Sequence, residues 1–501
     1  MELPKPTELA TEIETTSEYL KFWYSKIINK QGEVEWKIDH LKFIEFLRLS
    51  GFRRYDINQE YIFIRIDQRV IEEITVHGIM DEVLKYIESI DELHLEIDGI
   101  TRDELNSKFY TSPAIFFNDK KLSMLGIQQN LIMNADTKEY GFIYYENGFV
   151  KCYAGGFEIL PYKELDGYVF RNQIKNRKIK KYSSEGMFRQ FVFNISGKKD
   201  QRFKALQTMI GYLLHSFYET KMKAVNLTDS SISDNAEGRT GKTLLGHAIS
   251  LIKNVCEISG KDFDPTNKHK YSAAKLDTQI VFLNDLQKRF NFEALFNDIS
   301  DMITVDQKNR DPFTIRAKML ISSNDTFQIE GASAKDRVIE FELADYYNAK
   351  FSPENEFGVW FFRDWDTDEW LKFDNFMIEC LTLYFELGVI EADPINLDKR
   401  KQIQHTNRDF VEFMDAKIKD NEVRIGGEYN KRILHEEFLE NYPEYKNDRW
   451  LKMTGNFVKY LKIYAAHSPE LKEGKISERK SNGQTFIQFK KVEEKQTDIP
   501  F

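Results

Sequence analysis

The octapeptide Ala236-Glu237-Gly238-Arg239-Thr240-Gly241-Lys242-Thr243 constrains this chain more than any other stretch. A glycine-bearing turn that ends in Gly-Lys-Thr and runs into a helix lets backbone N–H groups wrap a phosphate. Leu244, Leu245, Ala248, Ile249, Leu251 and Ile252 follow at helical spacing, so the loop is expected at the positive N-terminus of a helix. In this reading Gly238, Arg239, Thr240, Gly241, Lys242, Thr243 and Leu244 cradle the anion. Lys242 reaches the β- and γ-phosphates of a nucleoside triphosphate, and the Thr243 hydroxyl ligates Mg²⁺. The usual pattern has Gly where Ala236 stands, which costs the first turn backbone freedom. The apolar run Ala224-Val225-Asn226-Leu227 suits a buried strand, but the polar segment Asp229 to Asn235 separates it from the loop. A Gly/Thr-rich surface turn is the competing reading of the motif alone.

The downstream chain supplies what a phosphate loop needs. Gln279-Ile280-Val281-Phe282-Leu283-Asn284-Asp285 reads as a buried strand whose terminal acid emerges beside the phosphates, to serve either Mg²⁺ or the attacking water. The pair Asn284-Asp285 offers one acid where two roles exist. A second apolar strand, Lys318-Met319-Leu320-Ile321-Ser322-Ser323, ends in Asn324, an amide able to orient water or sense the γ-phosphate, or else to cap a turn. Arg337 follows. At a subunit boundary its guanidinium would stabilise the phosphoryl group transferring on a neighbour's nucleotide. Between the two strands, Ile303-Thr304-Val305 and Phe313-Thr314-Ile315 flank a polar tip with Lys308, Asn309 and Arg310, either a solvated loop or a surface that tracks a strand's phosphates.

In this order, the region from about 203 to 391 resembles the superfamily 3 helicases of the AAA+ class, in particular the helicase halves of phage, plasmid and poxvirus-type primase-helicases. The resemblance rests on Gly241-Lys242-Thr243, Ile280 through Asp285, the hairpin with Lys308 and Arg310, Ser322-Ser323-Asn324, and Arg337. It implies ATP as the nucleotide, a homo-oligomeric ring that is usually a hexamer, single-stranded and forked DNA as partners, and a separate primase or other replication proteins nearby. Lys242, Asp285, Asn324 and Arg337 would be catalytic, and Thr243 and Asp285 would hold the metal. A AAA+ switch or loader without unwinding, and a non-catalytic DNA-binding scaffold, are the alternatives.

Composition sets the outer limits. At 501 residues, 41% hydrophobic and 30% charged with 11 prolines, the chain is a folded one of several domains. A net charge of −10 confines any DNA-binding potential to local basic surfaces. The three cysteines are scattered without metal-ligand spacing, predicting neither structural zinc nor disulfides. The first residues lack a basic segment followed by an apolar run, and no stretch has the length of a bilayer span, so a cytoplasmic protein with no membrane partner is expected.

The expected fold is an α/β P-loop AAA+ ATPase core with an α+β N-terminal region and a C-terminal winged-helix-like domain. The segments are 1–100, a β-rich accessory region 101–200, the ATPase 201–391 and the C-terminal domain 392–501. In the first, Tyr19, Phe22, Trp23, Ile27 and Ile28 recur at helical spacing, whereas Leu95-Glu96-Ile97-Asp98 reads as a strand edge with two acids on one face. In the second, Phe142 through Lys151 forms a hairpin about an Asn-Gly turn. The basic run Arg171, Lys175, Arg177, Lys178, Lys180 and Lys181 is either a solvated face or a phosphate contact. The aromatic segment 355–384 reads as helical core. Toward the end, Lys452, Lys459 and Lys462 on a helix, and Arg479 and Lys480 on a wing tip between strands at 475–477 and 485–489, would meet duplex DNA, unless the domain docks protein.

Overall fold

The computed structural model describes residues 20–27, 34–57, 60–129, 131–218, 222–232, 239–287, 290–308, 311–324, 326, 336–471 and 474–491. They fall into two compact units, 1–134 with 160–176, and 135–159 with 177–501. The segment expected as one accessory region, 101–200, is therefore shared between the two.

The first unit is α+β. Trp23–Ile27 pairs antiparallel with Val34–Ile38, and Phe52–Ile57, Glu60–Asp67 and Val70–Glu73 form a meander that Val169–Phe170 extends in parallel. Helices His40–Leu49 and Val76–Ser89 cover an aromatic core of Phe22, Phe43, Phe46 and Phe109. Two expectations are corrected here. The run at Trp23–Ile27 is a strand, because Trp23 alone is buried while its successors face out and pair across to Val34–Ile38. Tyr19 and Ile28 lie outside the described residues. The segment Glu92–Asp98 is a helix, started by the Asp91 side chain capping Leu93 N–H and stopped by Gly99 at φ 77°. Asp98 then accepts bonds from Lys21 Nζ at 2.5 Å and Trp23 Nε1 at 3.2 Å, a structural role.

The second unit is α/β around a five-stranded parallel sheet, ordered Val255–Ser259, Ile280–Leu286, Lys318–Ser323, Ala224–Asp229, Val338–Leu343. Parallel strands covered on both faces read as near-continuous apolar runs, as Ile280–Leu283 and Met319–Ile321 do. From Ala224–Asp229 the chain goes out to the far edge and works back strand by strand. It then crosses to Val338–Leu343 on the other side. The crevice at the C-terminal end of Ala224–Asp229 is thus the topological switch point, where open α/β sheets seat their ligands. Helices Asp200–Leu214 and Thr367–Leu387 pack together, and Phe361, Trp365, Phe373 and Phe376 are buried, as the aromatic segment predicted, but residues 358–366 are turns ahead of the helix and Trp360 is exposed.

The Asn-Gly hairpin forms as strands Gly141–Tyr145 and Gly148–Tyr153. The basic run splits. Arg171 lies 3.9 Å from Glu72, whereas Arg177 makes a two-pronged bond to the buried Asp374 (2.7 and 2.6 Å) and stacks 4.6 Å over Trp370. Arg177 is held as core structure and does not face phosphates.

At the C-terminal end, helices Arg408–Lys419, Lys431–Asn441 and Thr454–Ala466 enclose Phe410, Phe438, Phe457 and Leu461 against an antiparallel sheet of Glu428–Asn430, Gln484–Lys491 and Gly474–Ser481. The expected loop at 478–484 is corrected. The strands run on to a two-residue turn, Asn482 (φ 48°) and Gly483 (φ 74°), the left-handed pair such hairpins demand. Arg479 and Lys480 therefore lie along a strand, and Lys452 just precedes its helix.

Candidate functional site

The strand Ala224–Asp229 is buried along its whole length and delivers Asp229 to the floor of the switch-point crevice. The chain re-enters the description at Arg239 (φ 68°) and reaches Gly241 at φ 107° before helix Lys242–Ser250 begins. Ala236, Glu237 and Gly238 lie outside the described residues. Gly241 is required twice over. Its φ is left-handed, and a Cβ would stand 2.7 Å from the Phe191 ring. With glycine at the N-cap, no side chain caps the helix, so the N–H groups of its first turn, Thr243 and Leu244 included, keep their donor capacity for an anion. The Leu244 side chain turns to the core and Arg239 is exposed.

Lys242 is the centre of the arrangement. Its side chain is 11% exposed, and Nζ lies 2.5 Å from Asp229 Oδ2 and donates to Asn324 Oδ1 at 3.0 Å. Burial pushes the Lys242 pKa below the ordinary lysine value, while the Asp229 carboxylate works the other way. The Thr240 hydroxyl donates to the second Asp229 oxygen. Beneath them Arg400, 3% exposed and brought in by helix Leu397–His405, donates to the carbonyls of Asp229 and, at 2.7 Å, of Asn324. The lysine expected to meet phosphates is thus stored on a carboxylate and an amide at the ends of two adjacent strands.

The next strand end carries Asn284 and Asp285. Between Leu283 and Leu286 its register with Lys318–Ser323 shifts, and Asp285 takes φ 60°, a bulge of the kind that re-aims side chains. Ser322 pins it, accepting from Asp285 N–H at 2.8 Å and donating to Asn284 Oδ1 at 2.8 Å. Asn284 Oδ1 also lies 3.4 Å from the Thr243 hydroxyl. Asp285 pairs with Lys261 at 3.0 Å and still adds a favourable field at Lys242. Among the oxygens at this strand end, Thr243 Oγ1 and the Asp285 carboxylate are hard donors of the kind the expected Mg²⁺ would use. Among the described residues no group of three or more His, Cys, Asp or Glu gathers as a metal cage, here or elsewhere. A small cation that keeps most of its waters and binds phosphate needs few protein ligands.

Of the expected site residues, Lys242, Thr243, Asp285 and Asn324 therefore meet at one edge of the sheet. Arg337 does not join them within the chain. Its carbonyl accepts from Ala224 N–H at 2.8 Å, at the opposite end of the first strand, and its guanidinium is held by Ser300 Oγ at 3.0 Å and the Phe296 ring at 5.0 Å. Lys308 is exposed on the hairpin of Ile303–Val305 with Phe313–Ile315, and Asn309 and Arg310 lie outside the described residues. Arg479 donates to Glu428 at 2.8 Å, which partly neutralises it, and Lys480 is exposed. Asp229, Asn284 and Arg400 are the participants that pattern reading missed or left without a role. Asp229 was detectable, as an acid two residues beyond an apolar run and ahead of a phosphate loop. Arg400 carried no local signal.

No protein-family model matches the chain, and neither does any curated protein sequence. Among solved structures it is similar to the apo structure of the NrS-1 C-terminal region (305-718), at 13% identity and a TM-score of 0.40, and to an A-form apo structure of that region, at 13% and 0.37; each spans 90% of this chain and 99% of the other. A likeness this loose is silent on chemistry, and the functional reading rests on the site. No helix among the described residues is long and apolar enough to cross a membrane.

Proposed function

We propose that this chain is an ATPase of the AAA+ class that translocates along single-stranded DNA as a ring, a hexamer by resemblance, and opens forked duplex during replication of a phage or mobile element in the cytoplasm, beside a separate primase or other replication proteins. The observation that carries this reading is the meeting of Lys242, Asn324, Thr243 and Asn284 at the switch point of a parallel sheet, on a helix N-terminus whose glycine cap leaves its N–H groups to an anion.

In this reading the backbone N–H groups of Gly241 to Leu244 bind the phosphates, with Gly238 completing the loop. Lys242 exchanges Asp229 for the β- and γ-oxygens. When bound, Mg²⁺ neutralises charge developing between those oxygens, and Thr243 and Asp285 would hold it. Asn324, released from Lys242 by that exchange, orients water at the γ-phosphate. Arg337, remote from the site of its own chain, serves the nucleotide of an adjacent protomer. The hairpin with Lys308 and Arg310 follows the strand's phosphates without reading bases. The C-terminal helices and three-stranded sheet support a winged-helix reading, in which Lys459, Lys462 and Lys480 meet duplex and Arg479 contributes once it leaves Glu428.

ATP turnover measured with and without single-stranded DNA, together with strand displacement on a forked duplex, tests the proposal. DNA-stimulated hydrolysis that Lys242→Ala abolishes is the expected result. Turnover indifferent to DNA, or unaffected by Lys242→Ala, would overturn it.

A further inference from the structure

Hydrolysis of a triphosphate asks two things of carboxylates near the γ-phosphate, help in holding the cation and removal of a proton from the attacking water. The strand end Asn284-Asp285 supplies one acid for both. The bulge then separates the two side chains. Gly260 lies against it so closely that a Cβ would stand 2.6 Å from Leu286 N, and Gly260 N–H donates to Asn284 O at 2.6 Å. Held this way, Asp285 turns toward Lys261, and Asn284 turns its carbonyl to Thr243 and Ser322.

The other end of the Asn284 amide is occupied. Asn284 Nδ2 donates to Glu257 Oε1 at 2.7 Å. Glu257 belongs to the neighbouring edge strand Val255–Ser259, where the parallel register sets Ser259 beside Asn284 and Glu257 beside Phe282. Its side chain is exposed, and among the described residues no lysine or arginine pairs with it. One amide therefore links the hydroxyl expected at the cation to a solvent-facing carboxylate that no cation claims. The carboxylate that strand-end reading would nominate as base is tied to Lys261 instead.

We propose that Glu257 is the general base of this site, and that Asn284 is the positioning residue that holds it there. The inference rests on the ATPase reading above and assigns the second acidic role that Asp285 leaves open. In the step, the water oxygen forms a bond to the γ-phosphorus. The bond from that phosphorus to the β–γ bridging oxygen breaks, its electron pair leaving with ADP, and the water's proton passes to the Glu257 carboxylate. Asp285, which pairs with Lys261 here, would leave that lysine to help Thr243 hold the cation.

The test uses the full chain. Affinity for a non-hydrolysable ATP analogue is measured by titration calorimetry, and phosphate release is measured with Mg²⁺ and single-stranded DNA. Glu257→Gln keeps an oxygen for the Asn284 amide and so preserves the local fold. It should bind the analogue as the wild type does and release phosphate about a hundredfold more slowly or worse, with the acidic limb of the pH–rate profile lost. Asn284→Ala should retain that limb and turn over about tenfold more slowly, the effect of a base left unpositioned. A Glu257→Gln protein that hydrolyses at the wild-type rate, or one that loses affinity together with turnover, overturns the assignment and leaves the ATPase reading standing. A wild-type chain that neither binds nor hydrolyses ATP overturns both.

Discussion

Replacing Asp229 by Asn removes the anion under the loop lysine and little else, since an amide keeps the shape and can still accept from the Thr240 hydroxyl. The Lys242 ammonium is 11% exposed, 2.5 Å from that carboxylate, with the Arg400 guanidinium close enough to oppose its charge. Stripping a buried charge of its partner costs about 3–5 kcal/mol. For a unit of this size that lowers the thermal-unfolding midpoint by roughly 4–7 °C. The pH dependence has a definite sign. Burial already lowers the folded-state pKa of Lys242, so between that value and the ordinary one the unfolded chain holds more protons and stability rises with pH. Without Asp229 the folded value drops further and the window widens downward. The variant's deficit therefore shrinks as pH is raised from neutral toward alkaline. A bound triphosphate restores the missing anion, so saturating ATP with Mg²⁺ should raise the midpoint more in Asp229→Asn than in the wild type. Thermal unfolding with and without nucleotide across that pH range reads all three effects. A variant as stable as the wild type at neutral pH, or one that ATP stabilises no more than it does the wild type, would show that Asp229 does not store the lysine.

Three further outcomes are expected. Burial and the nearby Lys318 hold His215 down at about 4, with Nε2 2.7 Å from Thr137 O. Its contribution to stability is full above the ordinary histidine value of about 6.5 and is lost as pH falls toward the folded value. His215→Gln should flatten that acid limb in thermal unfolding, and an unchanged limb would refute the assignment. Lys308→Ala should weaken single-stranded DNA binding and reduce the slope of log affinity against log salt by about 0.7, one phosphate contact, in a fluorescence titration. Arg337→Ala should bind ATP normally and lose about a thousandfold in DNA-stimulated turnover. Mixing it with Lys242→Ala protomers should recover activity, because each hybrid interface can pair an intact loop with an intact arginine. No recovery would mean that Arg337 does not act between protomers.

Local order was legible in the residues because it is set by neighbours in the chain. The glycine of Gly241-Lys242-Thr243, the apolar runs ending in Asp285 and Asn324, the Asn-Gly hairpin at Phe142 to Lys151 and the aromatic helix after Trp365 each carry their own steric or periodic signal. Short runs without one misled. Trp23–Ile27 has helical spacing by accident and becomes a strand through pairing with Val34–Ile38, and Glu92–Asp98 alternates like a strand yet is capped at both ends as a helix.

The partner of each charge was decided by packing. Nothing near Arg177 in the chain announces Asp374, nothing near Lys242 announces Arg400, and Glu257 meets Asn284 only because two parallel strands lie side by side with a bulge between them. A run of residues specifies which groups can bind a phosphate, since backbone freedom and side-chain chemistry belong to the residues themselves. The protonation and readiness of those groups depend on burial and on charges brought in from remote segments, and those exist only once the sheet has closed.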